Sequence, residues 1–364
     1  MSVVYLISSF GKLSKKGDTL LFETKDYTST IFPFRTDSLV LVGKIDITSG
    51  ALSVLMKNQI DTVFLSSNAR FNGKLVFSEK KNVFLRQKQF KLVENMEARV
   101  KCAKAIALTK VKNQLTFMMR IRRKTKEDEL SIRDAINKNK KILEDIEIAD
   151  SLDKLRGYEG IAARNYFQVF ARDIIQDWAV FNGRSKNPPR DNVNAVLSFL
   201  YTLLYQRIDA SLEAEDLDPY VGMYHELDYG KRTLTFDLQE EFRVPIVDTL
   251  AISLFNLAVL DKEDFRQVDF STESEEYPLE SGKTYTESED ETVDMPVRST
   301  RGVLLNENGL RKCIAGFEKK MSATIISPST ARTVSYFHLI RDQVQLYKRF
   351  INGEEANYKP FLYR

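Results

Sequence analysis

Apolar positions recur with a period of two over residues 1–78 and with a period near 3.6 from about Asn82 onward, so a β segment precedes a longer helical one. Six runs in the first segment, VVYLI, TLLFE, TIFPF, SLVLVG, TVFLS and GKLVF, are rich in β-branched and aromatic residues and are separated by Gly, Asp, Asn and Ser. That spacing predicts the strands of a sandwich or meander. Lys16-Gly17-Asp18 predicts a hairpin turn between the first two. Over 48–59 the pattern changes. Ala51, Leu52, Leu55 and Met56 fall at helical spacing behind a Thr or Ser cap, which predicts one short helix.

In the helical segment, Leu92, Val93, Met96, Val100, Ala103, Ala107 and Leu108 form one stripe over 83–120, with Arg99, Lys101, Lys104, Lys110 and Lys112 opposite. Arg120, Arg122, Arg123, Lys124 and Lys126 follow. A solvated helix face and a surface for a phosphate backbone both fit, and the excess of bases over acids across 80–126 favours neither alone. A connecting helix is predicted over 127–150, with Ile132, Ile136, Leu143 and Ile146 on one side. The next, over 154–176, carries Glu159 between Gly157 and Gly160 near its head. An acid there favours the helix dipole, and its small neighbours permit close approach of another backbone. Pro188-Pro189 stiffens a loop bearing Arg184, Lys186 and Arg190; Asp191 or Asn192 then caps a helix burying Val196, Leu200, Leu203 and Leu204. An acidic, Ser/Thr-rich stretch at about 263–297 predicts a flexible insertion. A strand over 298–305 and helices over 307–321 and 329–350 complete the pattern, with His338 and Trp178 assigned to packing.

Length, 43% apolar and 29% charged residues describe a globular chain of two domains, 1–80 and 81–364, with an α+β fold: a sandwich-like β domain and a larger all-α domain. The two cysteines, Cys102 and Cys313, lack CxxC spacing, which argues against a disulfide framework or zinc finger and for a reducing cytoplasm. Lys12, Lys15 and Lys16 interrupt the first apolar run, unlike a signal peptide. No apolar run reaches the roughly 20 residues that span a bilayer, so no membrane partner is expected. Neither GxxxxGK[ST] nor GxGxxG occurs, so nucleotide cofactors have no support.

Candidate chemistry concentrates in 217–250, LDPYVGMYHELDYGKRTLTFDLQEEFRVPIVDTL. It holds His225, one of two histidines, and the acids Asp237, Glu240 and Glu241 at helical spacing. Carboxylates on one helix turn repel unless a cation joins them, and imidazole with carboxylate oxygens suits Mg²⁺ or Mn²⁺. A helix N-terminus that accommodates acids, with Arg243 as a local ion-pair partner, is the other reading.

RGYEGIAARNYF, RSKNPPRDNVNAVLSFLYTLL and DPYVGMYHELDYGKRTLTFDLQEEFRVPIVD together resemble successive blocks of the CRISPR-associated adaptation integrase family. KVKNQ at 110–114 and VGKIDITSGAL are similar to that family as well. The resemblance implies a β-sandwich followed by a helical catalytic domain. By motif position it implies Glu159, His225 and Glu240 as ligands of Mg²⁺ or Mn²⁺, Asp237 as a further catalytic acid, and Glu241 as a bystander. It implies a homodimer joined by a second, small CRISPR-associated protein in a heterohexamer, working in a prokaryotic cytoplasm. The expected reaction is insertion of double-stranded prespacer DNA into a CRISPR repeat. Arg99, Lys104, Lys110, Lys112, Arg120, Arg122, Arg123, Arg164, Arg184 and Lys186 are the candidate DNA contacts. A structure-selective repair nuclease and a non-catalytic DNA-binding scaffold are the alternatives.

Overall fold

The period of two folds as expected into strands, but not into a meander. The computed structural model describes residues 3–68, 70–75, 82–124, 129–185, 188–269, 301–328 and 330–363. It divides into two units, Met1–Lys81 and Asn82–Arg364. The first holds β1 (Val3–Lys16), β2 (Thr19–Glu23), β3 (Thr28–Ile31), β4 (Ser38–Ile47), α1 (Ser49–Lys57), β5 (Asp61–Leu65) and β6 (Phe71–Leu75). The strands form one sheet in the order β3-β2-β1-β4-β5-β6. β1 and β2 make the antiparallel hairpin, closed at Lys16↔Thr19 with Gly17 at φ +59°. β1–β4 and β4–β5 are parallel, which a meander does not allow; α1 supplies the crossover between β4 and β5. Thr48 caps α1, its hydroxyl accepting from the Ala51 N–H at 3.3 Å.

β1 is irregular at one point. Its ladder with β4 shifts register between Ser8 and Phe10, and a bulge bends the strand that carries it. Opposite, Gly43 has φ +105°, and a Cβ there would lie 2.0 Å from the Ser8 carbonyl oxygen, so only glycine fits. Leu6 before the shift and Leu13 after it share one core with Leu20, Phe22, Leu39, Leu41 and the buried face of α1.

The second unit holds α2 (Val83–Glu94), α3 (Met96–Lys124), α4 (Glu129–Ile148), α5 (Leu152–Phe170), α6 (Asn192–Ala214), α7 (Thr233–Phe242), α8 (Thr249–Asn256), β7 (Phe265–Asp269), β8 (Arg301–Leu305), α9 (Glu307–Ser322), β9 (Thr324–Ile326), β10 (Thr333–Ser335) and α10 (Tyr336–Asn352). It is helical, with two small ladders, β7–β8 and β9–β10; β8 answers the strand expected over 298–305, and β7, β9 and β10 were not expected. The helix expected over 83–120 is two helices, because Asn95 breaks the chain and its side chain caps α3 through the Ala98 N–H at 3.1 Å. α3 is the spine of the unit: it packs against α4, α5 and α7, with Ala103, Ala107, Val111, Leu115 and Met118 buried. Asp191 caps α6, accepting from the Asn194 N–H at 2.7 Å, and Val196, Leu200, Leu203 and Leu204 are buried as expected. Between α7 and α8 the stretch Arg243–Asp248 is π-helical. Pro245 lies within it, and a proline can neither donate to the α ladder nor fit its preceding turn.

Three local expectations change. The insertion expected from 263 begins with ordered chain: β7 pairs with β8 across it, and the rest, 270–300, lies outside the described residues. Phe265 and Val268 are three apart and show no period of two, and the partner strand lies beyond the insertion, so no local signal revealed the pairing. Trp178 packs between Phe255 and Phe265, with ring centroids 5.6 and 5.9 Å away, as expected of a packing residue. His338 instead is exposed, its Nδ1 2.8 Å from the Ser335 hydroxyl that caps α10. The predicted start of that helix, at 329, was too early because β9 and β10 form a hairpin first. Both cysteines are buried and free, and burial pushes each thiol well above its ordinary range.

Candidate active site

Three helices and one loop converge on a buried cluster. α3 supplies Lys110, α5 supplies Glu159, α7 supplies Asp237 and Glu240, and the loop before α7 supplies Tyr224 and His225; none is more than 7% exposed.

The loop is shaped by Asp237. Its Oδ2 accepts from the N–H groups of Met223 at 2.6 Å and Tyr224 at 2.9 Å, and its Oδ1 accepts from the His225 N–H at 2.9 Å. Three successive amides thus point at one carboxylate. Gly222 makes this approach possible: a Cβ there would stand 2.7 Å from Asp237 Oδ2 and 2.7 Å from the Leu234 nitrogen. Asp237 Oδ1 also lies 2.7 Å from His225 Nδ1. A carboxylate can only accept, so the neutral ring carries its proton on Nδ1 and turns the lone pair of Nε2 outward. Nε2 faces Glu240, 3.9 Å from Oε1. Arg99 braces the same loop from α3, donating from Nε to the Met223 carbonyl at 3.1 Å.

The second part of the cluster is ionic. The Lys110 ammonium donates to Glu159 Oε1 and lies 2.8 Å from Glu240 Oε2. Tyr224 donates its hydroxyl to Glu159 Oε2. Arg243 Nη2 stands 3.2 Å from Glu240 Oε1. Glu240 Oε2, although close to the ammonium, makes no hydrogen bond of ordinary geometry. Its attraction to Lys110 is therefore Coulombic rather than directed. Such an oxygen, buried and without a directed donor, is the kind of atom that a ligand completes.

The donor chemistry fits a hard divalent cation. Glu240 faces the imidazole Nε2 on one side and, through Lys110, Glu159 on the other, with Asp237 behind the imidazole in the position of a carboxylate that orients a histidine; carboxylate oxygens and imidazole are donors that suit such an ion. Among the described residues no three such side chains close around a common point, since the Lys110 ammonium holds the cationic position between the carboxylates.

Glu159 is not at a helix head but two turns inside α5, and a Cβ on Gly157 would meet nothing within 4 Å. The glycine therefore gives room beside the helix rather than contact. Glu241 is more than a bystander to the fold. It points away from the cluster and accepts from the Tyr358 hydroxyl at 2.6 Å, from Gln343 Nε2 at 2.7 Å and from the Phe361 N–H. Asn113 ties the same terminal segment to α7, donating to the carbonyls of Glu241 at 3.0 Å and Phe361 at 3.1 Å. Burial pushes the Glu241 carboxyl up to about 7. Asp248, the last residue of the π-helical turn, accepts from Tyr166 at 2.6 Å and Tyr201 at 2.5 Å, and burial raises it to about 6.

The basic residues separate into two groups. Arg122, Arg123 and Arg164 are exposed, and Lys112 is half-buried. Lys104 donates to the Glu147 carbonyl at 2.8 Å, and Arg120 lies over the Tyr363 ring at 4.3 Å. Arg184 is anchored to Ser185, Asn194 and Ser198, and Arg99 to the His225 loop. Lys110, expected on the basic outer face, is instead internal, because α3 is buried on several sides and the two acids opposite compensate its charge. Lys186 lies outside the described residues. Periodicity alone could not distinguish Lys110 from its exposed neighbours, nor single out Tyr224.

No helix among the described residues is long and apolar enough to cross a membrane. The model of the family "CRISPR associated protein Cas1" matches residues 4–273. "CRISPR-associated endonuclease Cas1 3" of Thermus thermophilus is 28% identical, over 100% of this chain and 98% of its own length. "CRISPR-associated endonuclease Cas1 2" of Rhodospirillum rubrum is 36% identical over 74% of this chain and 80% of its own. Among solved structures, a CAS1 protein from Thermotoga maritima superposes with a TM-score of 0.76 at 22% identity, covering 98% of this chain and 99% of that one. A casposase bound to integration product gives 0.81 at 19% identity, covering 100% and 95%. A Cas6-RT-Cas1–Cas2 complex gives 0.78 at 20% identity, covering 99% of this chain and 36% of that one. With a β-sheet unit, a helical unit and a family model matching well over half its length, the chain belongs to the Cas1 family of CRISPR-associated proteins.

Proposed function

We propose that the protein is a CRISPR adaptation integrase, a divalent-metal-dependent DNA strand transferase and endonuclease that inserts spacer DNA into a CRISPR array. The observation that supports this reading is one buried cluster in which Lys110 joins Glu159 to Glu240 and Nε2 of His225 faces Glu240. In the reaction a DNA 3′-hydroxyl attacks a phosphodiester: one P–O bond forms, another breaks, the attacking hydroxyl loses a proton and the departing 3′-oxygen gains one. Glu159, Glu240 and His225 would hold Mg²⁺ or Mn²⁺. When bound, such an ion supplies Lewis-acid stabilisation of the charge that develops on phosphate oxygens.

The chain's own residues do the rest. Asp237 holds the His225 ring in the tautomer that presents Nε2 and shapes the loop carrying it. Arg243 adds positive charge beside Glu240. Of the candidate basic residues among the described ones, Arg122, Arg123, Arg164 and Lys112 are the ones proposed to meet a DNA backbone, since Arg99, Lys104, Lys110, Arg120 and Arg184 have contacts within the protein. The proposed assembly is a homodimer joined to a small Cas2 partner in a heterohexamer, in the cytoplasm of a prokaryote. It is supported by the likeness to the chain solved in a Cas6-RT-Cas1–Cas2 complex, and the insertion chemistry by the likeness to the casposase bound to integration product.

The test is strand transfer of a labelled duplex with 3′ overhangs into a supercoiled plasmid carrying a repeat, in Mn²⁺ and in chelator. His225→Ala and Glu240→Ala should lose the product while still retarding duplex DNA. Full product from either variant, or from the wild type in chelator, would overturn the reading.

A further inference from the structure

We infer that Lys110 is a built-in counter-ion that occupies the cation position of this site and exchanges with the divalent ion when that ion binds. The inference rests on the metal-holding role proposed above for Glu159, His225 and Glu240. Lys110 is 4% exposed, and its ammonium is in contact with Glu159 Oε1 and 2.8 Å from Glu240 Oε2. An Mg²⁺-sized ion sits about 2.1 Å from each carboxylate oxygen it binds. An ion binding both of these oxygens would take the place that Nζ holds, so the two cations exclude one another.

Electrostatics gives the ammonium a purpose. Two buried carboxylates facing one another without a cation repel strongly where the dielectric is low. Arg243 stands on the other oxygen of Glu240 and leaves Oε2 to Lys110. Lys110 therefore keeps α3, α5 and α7 together before an ion arrives. A lysine suits this work better than an arginine, because its charge is compact and its four-carbon stem is flexible. Glu240 Oε2, held by charge but not by a directed hydrogen bond, is the contact most easily given up. Ion binding is then an exchange, weaker than the carboxylates alone would make it, and it releases a tethered ammonium at the site's edge.

The experiment titrates Mn²⁺ into the full-length protein without DNA, following free Mn²⁺ by electron paramagnetic resonance. Lys110→Met and Lys110→Gln should each bind Mn²⁺ at least about tenfold more tightly than wild type, roughly 1.4 kcal/mol. In chelator each should melt at a lower temperature than wild type, and Mn²⁺ should raise their melting temperatures by more. Equal or weaker Mn²⁺ binding by both variants, with the wild type binding normally, overturns the exchange and leaves the metal site standing. No binding by wild type or variants overturns the metal site and the exchange with it. A measurement on the wild type alone guards against misfolded variants: acylation of lysine amines, read by mass spectrometry, should spare Lys110 in chelator and modify it in Mn²⁺. The same low modification in both conditions counts against the exchange.

Discussion

The two halves of the cluster are assembled in different ways. The His225 half is local: Asp237 gathers three amides and a ring nitrogen that lie 12 to 14 residues before it in the chain. The ionic half is distant: Glu159 is 49 residues from Lys110, and Glu240 belongs to a third helix. The local half is held by directed hydrogen bonds to a carboxylate with every lone-pair direction in use. The distant half has an ammonium between two acids, with Tyr224 donating to one acid and Arg243 beside the other. Orientation is therefore built into a hydrogen-bonded loop, while on the proposed reading the place for a cation is held by a lysine that can move aside. A site proposed to keep its shape when empty and to admit an ion would use both.

Changes at the groups that face the cation position should have the largest effect. On the proposed function, Glu240→Ala or His225→Ala should cut strand transfer on the order of 10³-fold or more, with duplex binding retained, since each removes a group that would hold the ion. Glu241→Ala, one residue along the same helix, should not match that loss.

Breaking the local half should cost less, because the ligand stays and only its aim is lost. Asp237→Asn removes the acceptor that sets the His225 tautomer, and strand transfer or Mn²⁺ affinity should fall by about 10–100-fold. Gly222→Ala tests the same loop without touching a polar group. Its Cβ would press on Asp237 and the backbone of Leu234, so denaturant titration should show a loss of about 1–3 kcal/mol.

The fastening behind the ionic half has a pH signature. Burial holds the Glu241 carboxyl at about 7, above its usual 4.5, so the folded protein keeps a proton that the unfolded chain releases. The associated stability is complete below about 4.5 and is lost as pH rises through about 7. Asp248, raised to about 6, acts in the same direction. Urea unfolding from pH 5 to 8 should show falling stability with a shallower slope in Glu241→Gln. The smallest effects belong to the outer surface. Arg122→Glu or Arg123→Glu should lower DNA affinity and reduce the slope of log affinity against log salt by about one unit each.

How far these features were legible follows from the range of the contacts that make them. The strand runs VVYLI, TLLFE, SLVLVG and TVFLS, the Thr48 cap, the Asp191 cap and the buried face of α6 were readable, because period and capping act over a few residues, whereas TIFPF is strand only to Ile31 and turns into a 3₁₀ helix at Pro33–Arg35. The parallel pairing of β1 with β4 was not, since alternation marks which face is buried but not which neighbour lies alongside. Around the site, His225, Asp237, Glu240 and Glu241 stood out by residue type and spacing and Glu159 by its flanking glycines, and only the family resemblance set Glu240 apart from Glu241 and joined Glu159 to His225. Lys110 was assigned to the wrong face, since one basic side chain among several on a long helix carries no mark of the acids it will meet. The terminal segment from Tyr358 to Tyr363 carried no motif, although it holds Glu241 and Asn113.

By itself the sequence determined two periodicities, the change between them near residue 82, the helix caps and the residue types available for chemistry. Each is a property of neighbours along the chain, where backbone geometry and side-chain spacing act directly. Only the tertiary structure decided that Lys110 lies between Glu159 and Glu240, and that Glu241 turns toward the chain terminus. Those outcomes depend on which helices pack together, and a charge a hundred residues away becomes a partner only when folding removes the water between them.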